Sequence, residues 1–251
     1  MDAKNQLPYS ADIIIRPQEV HVWCTSLDTE ARTFEMLKGT LSNDERARGE
    51  RFKFWHDQRR YISGRGILRL LVGGYLHVDP KEIEFQYNEF GKPYLSFTDF
   101  GFNLAHSREF ALYAFCLSAE VGVDVEFIRP IEDAAGIAAR FFTPAENERF
   151  QQTSFDKKPE VFMTIWTLKE AYIKAIGEGL SYPLTKFEVA LPDADNPQLL
   201  ANPHGQDLGS TWTLFSLKPD FDIVAAVAVQ GENWHLQPRK FDIHNINSLA
   251  A

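Results

Sequence analysis

In Gly122-Val123-Asp124-Val125-Glu126 apolar and acidic residues alternate at the period of a β-strand, so Val123 and Val125 share one face and Asp124 and Glu126 the other. Two carboxylates projecting side by side suit a hard divalent cation, which takes a few protein oxygens and completes its shell with water and phosphate. An exposed strand face would give the same pattern. Further along, Trp166-Thr167-Leu168-Lys169-Glu170-Ala171-Tyr172-Ile173-Lys174 places Glu170 and Lys174 one helical turn apart, acid before base. That spacing also makes an ordinary surface ion pair worth ~0.3 kcal/mol. At the margin of the apolar stripe of Trp166 and Ile173, however, such a pair offers a point charge to a phosphate and a carboxylate to a metal or a proton.

Three further segments bear on the same chemistry. Phe102-Asn103-Leu104-Ala105-His106-Ser107 ends a strand in a histidine at a turn, and Gly91-Lys92-Pro93 is a turn signal. Between Arg46 and Arg69 lie eight basic residues against Glu50 and Asp57, a local +6 in a chain whose net charge is −9. The overall charge argues against general attraction to nucleic acid or an anionic membrane, while one basic segment in an acidic protein suits a small polyanion. The sequence has no P-loop, nucleophile elbow, zinc-protease pair or Rossmann glycine signature. Acids for a cation, a lysine near them and arginines elsewhere form a set for a substrate with several phosphates.

The elements that must position these residues can be read from patterning. A first strand is expected over Val20 to Cys24, and Ser42-Asn43-Asp44-Glu45 has the capping-box form that opens a helix. A second helix is expected from Asp57 to Tyr75, weakened at its end by Gly73-Gly74. A strand over Glu82 to Tyr87, a turn over Asn88 to Pro93, a hairpin over Gly101 to Ser118 bending at His106 to Glu109, and a strand over Gly122 to Phe127 follow. Two short helices fit between Ala134 and Gln152, the second entered through Thr143-Pro144. The clearest helix runs from Pro159 to Ile176 and ends at Gly177.

The second half echoes the first at an offset of roughly 100 residues. The helix ending at Gly73-Gly74 is followed by Asp79-Pro80 and a strand around Ile83 to Phe85; the one ending at Gly177 is followed by Tyr182-Pro183 and a strand around Phe187 to Val189. Phe110 to Leu117 likewise resembles Asp222 to Val229. The expected fold is therefore α+β (α/β) in two pseudo-symmetric halves, residues 1–119 and 120–251, each a small antiparallel-rich sheet with a long packed helix. A cleft at their junction is a common place for a ligand.

At 251 residues the chain can bury a sizeable core. Its longest pure apolar run, Ile223 to Val229, falls far short of the ~20 residues of a membrane span. MDAKNQLPYSADIIIRP lacks the pattern of an export signal, so a cytoplasmic location is expected. Cys24 and Cys116, each in an apolar setting, read as free buried thiols rather than a disulfide or a zinc site.

The ordered segments FNLAHS, GVDVE, RFFTPAE and WTLKEAYIKAIGEGLS resemble the 4′-phosphopantetheinyl transferases, specifically the larger surfactin-type class of doubled, monomeric enzymes. The resemblance spans about Leu41 to Val229, and the wording is most like cyanobacterial members. It implies transfer of the phosphopantetheine arm of coenzyme A to a serine of an apo acyl or peptidyl carrier protein, with release of adenosine 3′,5′-bisphosphate. It further implies that Asp124, Glu126 and Glu170 hold Mg²⁺, with Mn²⁺ an open alternative, and that Glu170 deprotonates the serine, directly or through water. Lys174 would neutralise or protonate the leaving phosphate, His106 would contact phosphate, Lys92 and Pro93 would lie along the nucleotide, and Arg48 and Arg60 would meet the 3′-phosphate. Glu146 matches an acid near the metal. Glu45 departs from a lysine and Ala105 from a serine found in related members. Phe141 and Phe142 are candidates for an apolar patch that receives a carrier helix. A Mg²⁺-dependent hydrolase of coenzyme A and a non-catalytic coenzyme A or carrier-binding module are the competing readings.

Overall fold

The computed structural model describes residues 13–190, 197–199 and 211–242. The stretch before residue 13, read above for an export signal, lies outside the described residues.

Each half is built as strand, long helix, hairpin. In the first, β1 (Glu19–Ser26) is followed by α1 (Ala31–Thr40), α2 (Asn43–Gly49), α3 (Trp55–Leu76), the short β2 (Gln86–Tyr87) and β3 (Pro93–Tyr94), then the hairpin of β4 (Phe100–Ser107) and β5 (Phe110–Leu117). In the second, β6 (Val121–Phe127) is followed by α4 (Ala134–Phe141), α5 (Pro144–Gln152), α6 (Lys158–Ile176), the short β7 (Val189–Ala190) and β8 (Gln198–Leu199), then β9 (Trp212–Asp220) and β10 (Ile223–Gln230). The two sheets share one order, β1-β5-β4 in the first half and β6-β10-β9 in the second, with the last strand of the hairpin in the middle. The final strand, β11 (His235–Lys240), returns to the first sheet and pairs parallel with β1.

Among the described residues three large apolar cores hold these layers, with a small cluster of Phe34, Leu41 and Ile62 beside them. Ile67, Leu68 and Leu71 of α3 pack on Phe102, Tyr113 and Phe115 of the first sheet. Ile165, Leu168 and Tyr172 of α6 pack on Val224, Ala226 and Ala228 of the second. Between the sheets, Val20, Val22, Leu112 and Ala114 meet Val123, Val125, Ala225 and Val227. The middle strands β5 and β10 are therefore buried on both faces, which is why FALYAFCL and IVAAVAVQ read as continuous apolar runs. Both cysteines are free; Cys116 is buried and Cys24 half-buried.

The duplication extends to buried charge. Both expected capping boxes are present, Ser42 with Glu45 at the start of α2 and Thr143 with Glu146 at the start of α5. Each box acid also receives a cation from the long helix of its half: Arg69 Nε donates to Glu45 at 2.6 Å, and Lys169 Nζ to Glu146 at 2.7 Å. The same cations then donate to the carbonyl of Ile83 in one half and of Phe187 in the other. These bonds explain two departures from the expected strands. Ile83 and Phe187 are buried, but their carbonyls serve Arg69 and Lys169, so only Gln86–Tyr87 and Val189–Ala190 enter ladders. Helix α3 also runs past Gly73-Gly74 to Leu76 and ends on His77 in the left-handed region.

Candidate active site

The site begins with β6. Its register opposite β10 pairs Asp124 with Ala226 and Glu126 with Val224, residues of the core beneath α6, so the two acids face the helix as the alternation requires. Gly122 allows the close approach: a Cβ there would enter the backbone of Ala171 and Ala175 on α6. That contact brings Lys174 Nζ to 2.6 Å from Asp124 Oδ1. Glu126 accepts a hydrogen bond from Ser107 Oγ at 2.8 Å, across from the first half. Asn103, also of the first half, accepts from the backbone N–H of Val123 at 3.0 Å.

Burial sets the electrostatics. The Glu170 carboxyl is pushed up to about 7, first by burial and then by the negative charge of Asp124 and Glu126, with Lys174 opposing. Asp124 is also raised by burial, again against Lys174. Asp124 Oδ2 and Glu170 Oε1 are buried without a hydrogen-bond partner. Two orphaned hard oxygens beside a third acid fit a divalent cation. A ready three-acid ligand group is not assembled among the described residues, because Lys174 holds Asp124 and Ser107 holds Glu126. The acids are near enough to shift one another, but their present partners are an ammonium and a hydroxyl.

The opposite wall comes from the first half. A cavity of about 240 Å³ is lined by Arg48, Arg60, Arg65, Tyr87, Pro93 and His106 among others. A neighbouring cavity of about 210 Å³ is lined by Phe90, Lys92, Asn103, Ile173 and Lys174, and the two share Gly91, Pro93 and Leu104. They form adjoining chambers of one cleft between the halves. Arg60 reaches the cavity while donating to Glu109 at 3.2 Å. Desolvation, then the charges of Lys174 and Arg60, hold the pKa of His106 below the ordinary imidazole value, so it is neutral at pH 7.

Two family models match in tandem: the N-terminal model of 4′-phosphopantetheinyl transferase over residues 27–118, and the 4′-phosphopantetheinyl transferase superfamily over residues 120–229. The 4′-phosphopantetheinyl transferase HetI of a Nostoc species is 40% identical over 93% of this chain and 96% of its own. The chain belongs to the 4′-phosphopantetheinyl transferases. The Sfp transferase of Bacillus subtilis is 30% identical over 74% of this chain and 87% of its own. Among solved structures, a holo-[acyl-carrier-protein] synthase from Neisseria meningitidis aligns with 45% of this chain and 98% of its own, at 21% identity and a TM-score of 0.39.

In this transferase several of the residues singled out have structural partners of their own. Glu146 is the buried partner of Lys169, caps Thr143 and accepts from the Val189 N–H. Phe142 is buried, while Phe141 is half-buried and packs edge-on against Trp166. Arg65 and Arg69 are bound by Glu45, which takes part of the basic segment out of play. Lys92 lines the cleft, but its ammonium donates to Glu120 at 2.5 Å and to the Ala175 carbonyl at 2.6 Å. Ser107 and Asn103 belong to the FNLAHS segment, in which sequence patterning singles out only the histidine. Asn88 carried no signal beyond a turn residue.

The transferase fold repeats, but its chemistry does not. Where β6 and α6 meet through Asp124 and Lys174, β1 and α3 meet through His21 and Tyr75, with Nδ1 and Oη 2.7 Å apart. One half thus supplies acids and a lysine, and the other supplies arginines and a turn to the same cleft.

Proposed function

We propose that the protein moves the 4′-phosphopantetheine arm of coenzyme A onto a serine of an apo carrier protein. The observation that carries the reading is the buried pair Asp124 and Glu170 behind Lys174, which lines the chamber adjoining the cavity of Arg48, Arg60 and His106. The 3′-phosphate of the cofactor lies among Arg48, Arg60 and His106, and its pyrophosphate reaches toward Lys174. Glu170, with a pKa near neutrality, takes the serine proton as the hydroxyl oxygen forms its bond to the nearer phosphorus of the arm. The bond from that phosphorus to the bridging oxygen breaks, and adenosine 3′,5′-bisphosphate leaves with its new charge offset by Lys174. Asp124, Glu126 and Glu170 are the residues that would hold Mg²⁺ or Mn²⁺, which supplies charge neutralisation at the pyrophosphate when bound.

A cytoplasmic place of action and a monomer in which one chain completes the cleft belong to the same reading. Among the described residues no helix is long and apolar enough to cross a membrane. The test incubates the protein with coenzyme A and a panel of apo fatty acid, polyketide and peptide carriers, with and without chelator. A carrier mass gain of one phosphopantetheine, lost with chelator, is the expected result. Free phosphopantetheine without carrier labelling overturns transfer in favour of hydrolysis.

A further inference from the structure

The turn from Asn88 to Pro93 reaches across the cleft and grips the end of helix α6. The Asn88 Oδ1 accepts the N–H groups of Phe90 at 3.0 Å and Lys92 at 2.9 Å, which shapes the turn from within. The Asn88 Nδ2 then donates to the carbonyl of Gly177 at 2.8 Å. Two N–H groups on one side and a carbonyl on the other leave only one orientation for the amide. Beside it, Lys92 Nζ donates to the carbonyl of Ala175. Ala175 lies in the last turn of α6 and Gly177 is its C-cap, where carbonyls have no partner within the helix.

Gly177 fits this contact in two ways. Its φ of +76° is a left-handed value, and a Cβ there would lie 2.8 Å from Asn88 Nδ2 and 3.2 Å from Lys92 Cδ. The grip therefore fixes the spacing between a turn that lines both chambers and the helix that carries Glu170 and Lys174. We infer that Asn88 is a positioning residue for the transfer reaction: its amide sets the cofactor turn at a working distance from the helix of Glu170 and Lys174. This rests on the function proposed above and adds to it a residue that touches neither the reacting atoms nor the acids.

Two substitutions separate shaping the turn from gripping the helix. Asn88→Asp keeps the oxygen that accepts from Phe90 and Lys92, but turns a carboxylate toward the Gly177 carbonyl and so breaks the grip. Asn88→Ala removes both. Steady-state transfer and calorimetric titration with coenzyme A are measured on the full chain. With Asn88→Asp we expect KM for coenzyme A to rise ~10-fold and kcat to fall at least ~10-fold, because a displacement near 1 Å suffices for such losses. KM for the carrier should stay unchanged, and Asn88→Ala should match Asn88→Asp. If Asn88→Asp fails to fold, Gly177→Ala, whose Cβ would lie 2.8 Å from Asn88 Nδ2, should weaken coenzyme A binding in the same direction.

Wild-type kinetics in Asn88→Asp with a defect only in Asn88→Ala would assign the residue to turn shape alone and overturn the inference. So would a lowered melting temperature with unchanged kcat and KM per folded molecule. If the wild-type chain transfers nothing, the function reading fails instead, and the calorimetric comparison of wild type with Asn88→Asp still decides the grip.

Discussion

Glu45 and Glu146 hold the same place in the two halves: each is the third residue of a capped helix, each is 2–3% exposed, and each takes a cation from the long helix beside it. The relationship matters for function because it explains Glu146 without the metal. An acid that serves as cap and as counter-ion to a fully buried lysine is already in full use.

Glu146→Gln keeps the cap but strands Lys169, whose side chain is 0% exposed. Removing one partner of a buried pair costs about 3–5 kcal/mol. The expected outcome is a large drop in the denaturation midpoint with turnover per folded molecule preserved. An unchanged midpoint with turnover abolished would give Glu146 a part in the reaction.

Much of this was legible beforehand, for reasons that differ by element. The acids of β6 followed from strict alternation, and α6 from a long stripe ending in glycine. Helix α1 was missed because its N-cap Glu30 makes no capping bond and only Phe34, Leu37 and Thr40 are buried. Strand β11 was missed because HLQPRK is a mostly exposed edge strand with a proline, recruited by pairing with β1 rather than by its own pattern. The role of Glu146 could not be read because a cap acid and a metal acid look alike until the burial of Lys169 is known.

Asp124→Asn removes the partner of Lys174 and an oxygen that otherwise has none. Turnover should fall ~10²-fold or more, as for other preorganised electrostatic groups. Circular dichroism and the melting curve should remain those of a folded protein, since Lys174 is partly exposed and can turn to water. Near-normal turnover would remove Asp124 from the mechanism.

Glu170 gives the metal-free protein a pH dependence of defined sign. Its folded pKa, about 7, lies above the ordinary 4.5, so the folded state keeps a proton that the unfolded state has lost. That contribution is complete below about pH 4.5 and is lost as pH rises through about 7. In Glu170→Gln this part of the stability profile should flatten. Added Mg²⁺ needs the deprotonated acids, so its gain in Tm should be larger near pH 8 than near pH 5.5. Equal gains at both values would separate the metal from these carboxyls.

Gly122→Ala tests whether the site depends on how closely α6 approaches β6. The added methyl would meet the backbone of Ala171 and Ala175, which cannot rotate aside as a flexible side chain can. Overpacking of this kind costs about 1–3 kcal/mol, and here it also levers Lys174 away from Asp124. Both the melting temperature and kcat should therefore fall. Gly39→Ala in α1 is the matched control: nothing lies within 4 Å of its added Cβ, and alanine gains about 0.5–1 kcal/mol in a helix. It should raise stability and leave kcat alone. If Gly122→Ala behaves like Gly39→Ala, the spacing of α6 and β6 does not set the Asp124–Lys174 contact.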